Sequence, residues 1–256
     1  MSILLFILIF YIFSTKIFIE KFYSFKIKNK FVKNIQKPIV FLHIPKNAGS
    51  SIKHHFNDLI LPQHHNSLPS NNEINIAIIR NPYSRLQSIF AHIKLRDSYN
   101  KDSHDLNQFP TLHDLALAYF DKKNFHHHKA HKLLDWDPHK FFLYHKLENS
   151  KTGSCINSRN FPCIHWAPQY LYVDGHNATV DHFLLFENLD YGIRQLQVKN
   201  ILNIKKKKFF HKIYNKTPPQ FKKLATLTPL SKKLANHVYK KDFQLWYKVY
   251  KQNYNL

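Results

Sequence analysis

A chain of 256 residues with a 44% hydrophobic fraction and a formal charge of +22 has enough apolar material for a real core, which excludes a disordered basic tail. Its length suits one α/β domain plus an N-terminal appendage. The charge predicts an anionic partner: a nucleotide, a sulfated or carboxylated glycan, nucleic acid or a membrane surface. Two cysteines, Cys155 and Cys163, provide no second pair and no Cys/His spacing for a zinc site. They read either as a small disulfide loop in an oxidising compartment or as two free thiols.

Residues 3–13 are apolar without interruption, and the run reaches Ile19 only by passing Lys16. A span needs about 20 apolar residues, which Lys16 can help to reach by snorkelling. The rival reading, a signal peptide, lacks a basic n-region and a small-residue cleavage site. Residues 1–19 are therefore expected to be a hydrophobic signal anchor, making the protein single-pass, with 20–37 a basic stem and 38–256 the folded domain. Lysines 16, 21, 26, 28, 30 and 33 follow the apolar run and none precedes it. That asymmetry favours a cytoplasmic catalytic domain.

Ile39–Leu42 reads as a buried strand closed by Pro45. Lys46-Asn47-Ala48-Gly49-Ser50-Ser51 follows, and then Ile52, His55, Phe56 and Leu59 fall at helical spacing. Strand, tight basic loop and helix start together point backbone N–H groups and a positive helix end at one place, which suits a phosphate. The lysine precedes the glycine, so this is not the Walker arrangement. Taken alone, a solvated surface turn accounts for the loop equally well.

Residues 61–73 read as a polar connection. Ile74–Ile79 is a second apolar strand, followed by Arg80-Asn81-Pro82-Tyr83-Ser84-Arg85-Leu86-Gln87-Ser88. Pro82 opens a helix whose apolar face is Leu86, Ile89, Phe90 and Ile93. Arg80 at the strand end and Ser88 two turns into the helix can grip a second phosphate. Two anion loops at strand ends are a stronger signal than one.

Further on, 111–120 reads as a helix with Thr111 as N-cap and Asp114 three residues on. Residues 125–146 are rich in histidine and aromatics, but no carboxylate or cysteine pattern organises His126, His127, His128 and His131 into a metal site. Residues 180–186 read as a strand, 189–202 as a helix, and 230–250 as a final amphipathic helical region. From Lys199 to Lys251 there are fifteen lysines and one acid, Asp242. Strands alternating with helices imply a mostly parallel central sheet flanked by helices, with ligands at its carboxyl edge.

The segment from Ile44 to Ser51 resembles the 5′-phosphosulfate loop of the membrane-associated carbohydrate sulfotransferases, and Arg80 to Ser88 resembles that family's 3′-phosphate motif. His165-Trp166-Ala167-Pro168-Gln169, Phe186-Glu187-Asn188-Leu189 and Tyr239-Lys240-Lys241-Asp242-Phe243 are similar to later family segments, so the resemblance spans roughly 38–250. It implies a P-loop-like sulfotransferase fold. The implied donor is 3′-phosphoadenosine 5′-phosphosulfate and the implied acceptor a carbohydrate hydroxyl, without a metal. It also implies a Golgi-type membrane protein with a lumenal domain, the opposite of what the lysine asymmetry favours. Asn177 and Asn215 head glycosylation sequons, meaningful only in a lumenal domain.

Carried over residue by residue, Pro45, Lys46, Asn47, Ala48, Gly49, Ser50 and Ser51 would hold the 5′-phosphate. Amides from Asn47 to Ser51 would form the cradle, with Lys46 on the oxygen leaving sulfur. Arg80 and Ser88 would bind the 3′-phosphate, and Arg85 either assists them or is structural. For the general base, His165 comes first, His43 second and His113 third. His165 is equally readable as structural, and His43 as packing beneath the loop. Glu187 reads as organising the site. Trp166, Tyr170 and Tyr172 either stack on ligand or lie in the core. The lysine-rich end would attract an acidic glycan acceptor. The competing class is a non-catalytic basic binder of anionic glycan or nucleic acid. It has no need of Lys46 paired with Arg80 and Ser88, and no nucleic-acid-binding motif is evident. A degenerate sulfotransferase that binds donor without turnover shares all these residues.

Overall fold

The computed structural model describes residues 37–56, 61–62, 70–99, 106–141, 164–173, 179–203 and 217–254. The expected anchor and nearly all of the stem lie outside them, as do both cysteines and Asn177 and Asn215 of the sequons. Among the described residues no helix is long and apolar enough to cross a membrane. The described residues from Pro38 onward belong to one compact unit.

Four parallel strands run β2-β1-β3-β4 across one sheet: β1 Ile39–Leu42, β2 Leu61–Pro62, β3 Ile74–Ile79 and β4 His182–Leu185. Side chains alternate between the two faces, as a doubly covered strand requires. Phe41, Ile76, Ile78 and Leu184 pack on one side with α1 (Gly49–Phe56) and α6 (Leu189–Val198). Leu42, Ala77, Ile79 and Leu185 face a larger core, where they meet α2 (Pro82–Tyr99) and α3 (Leu112–Phe120). That same core takes in α4 (His127–Leu134), the short α5 (Tyr170–Val173), α8 (Pro229–Val238) and α9 (Lys240–Tyr254). The chain thus leaves β1 toward one face and its neighbour β3 toward the other. The crevice opened by such a divergence, at the carboxyl ends of the strands, is where open α/β sheets bind ligands.

Local signals account for most elements. Asn81 Oδ1 accepts the Tyr83 N–H at 3.0 Å, and Pro82 fills the first helical position of α2, where a missing N–H costs nothing. Thr111 and Asp114 form the expected reciprocal capping box on α3, and Thr228 with Ser231 forms another on α8.

The structure corrects several boundaries. The supposed polar connection contains β2, too short to carry a pattern. The strand expected at 180–186 is His182–Leu185, with Phe186–Asn188 turning as a 3-10 helix. The helix expected at 189–202 stops at Val198, because Asn200 enters the left-handed region (φ 54°) and Ile201 N–H returns to Leu196 O at 2.9 Å. The single region at 230–250 is two helices, broken at Tyr239, whose hydroxyl donates to Trp166 O at 3.0 Å. A further helix, α7 (Pro219–Leu224), lies within the lysine-rich stretch. Trp166 and Tyr172 are fully buried, so of the two readings open to them the core is correct.

Candidate active site

The loop after β1 folds against its local preference. Lys46 and Ala48 both sit at φ 69°, the left-handed region that residues with a Cβ seldom occupy. Each such residue costs on the order of 1–3 kcal/mol unless its surroundings over-determine it, and such strain clusters at ligand sites. Here two arginines from beyond β3 and the loop's own Asn47 hold it. Arg85 Nε donates to Pro45 O at 3.2 Å, Arg80 Nη1 to Lys46 O at 2.9 Å, and Asn47 Nδ2 bonds Ile78 O at 2.7 Å and Gln169 Oε1 at 2.6 Å.

These contacts separate roles that the motif ran together. The Asn47 side chain is buried and pins the loop to β3, so it faces inward and does not reach for a ligand. The Asn47 N–H is spent on Ile44 O at 3.2 Å and the Ser51 N–H on Ala48 O at 2.9 Å. Two of the five amides expected in the cradle are therefore committed within the loop. Ser51 is buried and Ser50 exposed, at the start of α1.

Gly49 has a steric reason. A Cβ there would fall within the van der Waals envelope of the His43 imidazole, which lies against the first turn of α1. His43 accordingly sits directly at the loop. Gly49→Ala is expected to displace this ring and to cost about 1–3 kcal/mol of stability, the usual range for overpacking. The double variant Gly49→Ala/His43→Ala should regain that stability in thermal unfolding. Turnover lost in His43→Ala alone, at unchanged stability, would assign His43 a part in the reaction.

Arg80 follows β3. Its guanidinium packs over the Phe186 ring at 4.2 Å, and Nε donates to Ser84 Oγ at 3.0 Å. The expected phosphate ligand Ser88 lies one turn beyond Ser84 on the same face of α2. Glu187 Oε1 accepts the Asn81 N–H at 2.8 Å, which fixes the turn into α2.

Arg85 is structural. Fully buried, it donates through Nη2 to His165 O at 3.1 Å and Ala167 O at 2.9 Å, besides its bond to Pro45. Its ion partner is Asp242 at 3.9 Å, and Asp242 Oδ2 and Oδ1 in turn accept the Gln169 N–H at 2.8 Å and the Tyr170 N–H at 3.0 Å. Burial raises the Asp242 carboxyl above its ordinary range, while Arg85 and the two amides pull it back. Through Arg85 the structure brings His165 beside the phosphate loop. The His165 ring is buried and meets His92 of α2 edge-on, with centroids 5.3 Å apart. His113 lies elsewhere, exposed on α3 with Nδ1 3.1 Å from Thr228 Oγ1.

The site is strongly positive. Burial, then Arg80 and Arg96, lower the Lys46 ammonium to about 8. Burial lowers Arg80 to about 10, partly opposed by Glu187. The cations destabilise one another, and a bound anion would relieve the repulsion. Among the described residues no group of three or more His, Cys, Asp or Glu side chains is placed to hold a metal, and His131 is engaged by Asp135 Oδ2 at 2.6 Å and Tyr119 O at 3.0 Å.

Ser84, Gln169 and Asp242 were not foreseen as parts of the site. Ser84 had a usable signal, its four-residue step from Arg80. The other two stood only within segments similar to the family, with no local signal for their role, because their partners lie 72 to 157 residues away in sequence.

A strained basic loop and an arginine at adjoining strand ends, on either side of a sheet divergence, define an α/β protein with a cationic crevice at the carboxyl edge of its sheet. A family model described as sulfotransferase family matches residues 29–255, and the chain belongs to that family. No curated protein and no solved structure matches it. Membership supports a transferase that moves a sulfuryl group.

Proposed function

We propose that the protein transfers the sulfuryl group of 3′-phosphoadenosine 5′-phosphosulfate to a hydroxyl of a carbohydrate acceptor. The observation that carries this reading is the pairing of Lys46 with Arg80 at adjacent strand ends, their loops joined by the bond from Arg80 Nη1 to Lys46 O. One nucleotide with a phosphate on each side of its ribose suits two such grips. Lys46 and the loop amides take the 5′-phosphate, and Arg80 with Ser88 takes the 3′-phosphate. The acceptor oxygen attacks sulfur in line, and the bond from sulfur to the 5′-phosphate oxygen breaks. Lys46 stabilises the charge on that leaving oxygen. The acceptor proton passes to a histidine, with His165 first and His43 second. The products are a sulfate ester and 3′-phosphoadenosine 5′-phosphate. The acceptor is proposed to be an acidic glycan, drawn by exposed lysines of α7 to α9 such as Lys223, Lys232 and Lys240. An N-terminal anchor holding the domain in a Golgi-type lumen belongs to the same proposal.

Calorimetric binding of 3′-phosphoadenosine 5′-phosphate to the full chain tests the donor site. Micromolar binding that Lys46→Ala and Arg80→Ala each weaken strongly, to a small residual affinity, is expected, and labelled donor then screens glycans. A folded wild-type chain that ignores the nucleotide would sink the proposal and favour a charge-driven binder.

A further inference from the structure

Gln169 is completely buried just before α5, out of reach of any ligand, yet its carboxamide touches both phosphate-binding loops. Oε1 accepts from Asn47 Nδ2 at 2.6 Å and from the Arg80 N–H at 2.9 Å, while Nε2 donates to Arg80 O at 2.8 Å. Arg80 has left β3, and the carboxamide pairs with its backbone N–H and C=O as a neighbouring strand would. The same oxygen reaches across to the only loop residue between the two left-handed positions, Lys46 and Ala48. The Gln169 backbone is itself held by Asp242 Oδ2 at 2.8 Å. One rigid planar group therefore sets how far the loop after β1 stands from the end of β3.

We infer that Gln169 is a positioning residue that sets the spacing between the two phosphate grips, and with it the preference for a nucleotide carrying both a 3′- and a 5′-phosphate. The inference rests on the donor reading above. Each grip also has supports that do not involve Gln169: Arg85 and Ile78 O for the loop, Ser84 and Phe186 for the Arg80 side chain. Loss of the carboxamide should thus spare each grip and disturb their separation. A displacement near 1 Å can cost about 100-fold where two contacts must be met together, and far less where only one is used.

The test compares dissociation constants of adenosine 3′,5′-bisphosphate, adenosine 5′-monophosphate and adenosine 3′-monophosphate for the wild-type chain, Gln169→Met and Gln169→Asn. Gln169→Met removes all three carboxamide bonds at similar volume. Gln169→Asn keeps the carboxamide uncharged but shortens its stem by one methylene, so it cannot meet both loops at once, and it carries the test where the methionine variant fails to fold. Wild type should favour the bisphosphate. In the variants bisphosphate affinity should fall about 10- to 100-fold while each monophosphate changes by less than about threefold. All three nucleotides weakening equally, or none weakening, would overturn the role of Gln169 and leave the donor reading standing. A folded wild-type chain with no preference for the bisphosphate would overturn the donor reading, and this inference with it.

Discussion

Asp242→Ala is expected to destabilise the protein by about 3–5 kcal/mol, the cost of breaking a buried ion pair by removing one partner. The pair it breaks is wholly out of water, with Arg85 1% and Asp242 0% exposed. Removing the carboxylate leaves the guanidinium buried without a counter-charge. It also orphans the Gln169 and Tyr170 N–H groups that the carboxylate accepts. Because a domain of this kind has only about 5–15 kcal/mol in hand, a large share of its stability goes with one side chain. Urea unfolding followed by tryptophan fluorescence measures this, with m held constant as the sign that stability alone has changed. The surface pair Lys140–Asp137 is the contrast: at 3.8 Å, with side chains 48% and 51% exposed, its loss should cost less than about 1 kcal/mol. Arg85→Met combined with Asp242→Leu should recover part of the loss, since two charges removed together leave none unpaired. A double variant as unstable as the sum of the singles would show that Arg85 is held by its carbonyl contacts and not by Asp242.

This pair also explains which parts of the molecule were legible beforehand. β1 and β3 announce themselves as short apolar runs stopped by Pro45 and by Arg80-Asn81-Pro82, and local punctuation is what sequence displays best. The capping box at Thr111 is legible for the same reason, its partners being three residues apart. What happens inside a motif is not. Asn47 sits in the phosphate loop and looks like a ligand, yet its side chain is claimed by Ile78 O and by Gln169, 122 residues further on. Arg85 stands one turn from Arg80 with the same chemistry, and only the carbonyl oxygens and the Asp242 carboxylate packed around it separate brace from ligand. The break at Tyr239 carries no proline or glycine. It follows from a hydroxyl that reaches Trp166 O, a tertiary contact overriding a continuous helical pattern.

Lys46→Ala should separate activity from stability, in contrast to Asp242→Ala. If Lys46 stands at the leaving oxygen as proposed, loss of that one preorganised charge is expected to lower kcat by about 100- to 1000-fold, the range found when a single oxyanion donor is removed. Lys46→Arg should restore little, because a planar fork on a longer stem does not put its charge where the ammonium stood. The fold should not suffer. The folded-state value near 8 lies below the ordinary lysine value of 10.5, with burial and then Arg80 and Arg96 as the causes, so it is the charged form that the folded state disfavours. That penalty is fully present below pH 8 and is gone once the unfolded chain also loses its proton, above pH 10.5. At neutral pH the alanine variant should therefore melt at or slightly above the wild-type temperature while its turnover collapses. The same value sets the pH dependence of donor binding. Lys46 is cationic at pH 7 and loses its charge as pH rises through about 8, so affinity for 3′-phosphoadenosine 5′-phosphate should fall between pH 7 and pH 9. A bound phosphate raises the ammonium pKa again, so binding near pH 8 should take up a fraction of a proton, visible as a buffer-dependent heat. In the residual binding of Lys46→Ala both the proton uptake and this step in affinity should vanish, whereas in the residual binding of Arg80→Ala the loss of a neighbouring cation should move the step to higher pH. A step that survives in Lys46→Ala would place the titrating group elsewhere and take Lys46 out of contact with the phosphate.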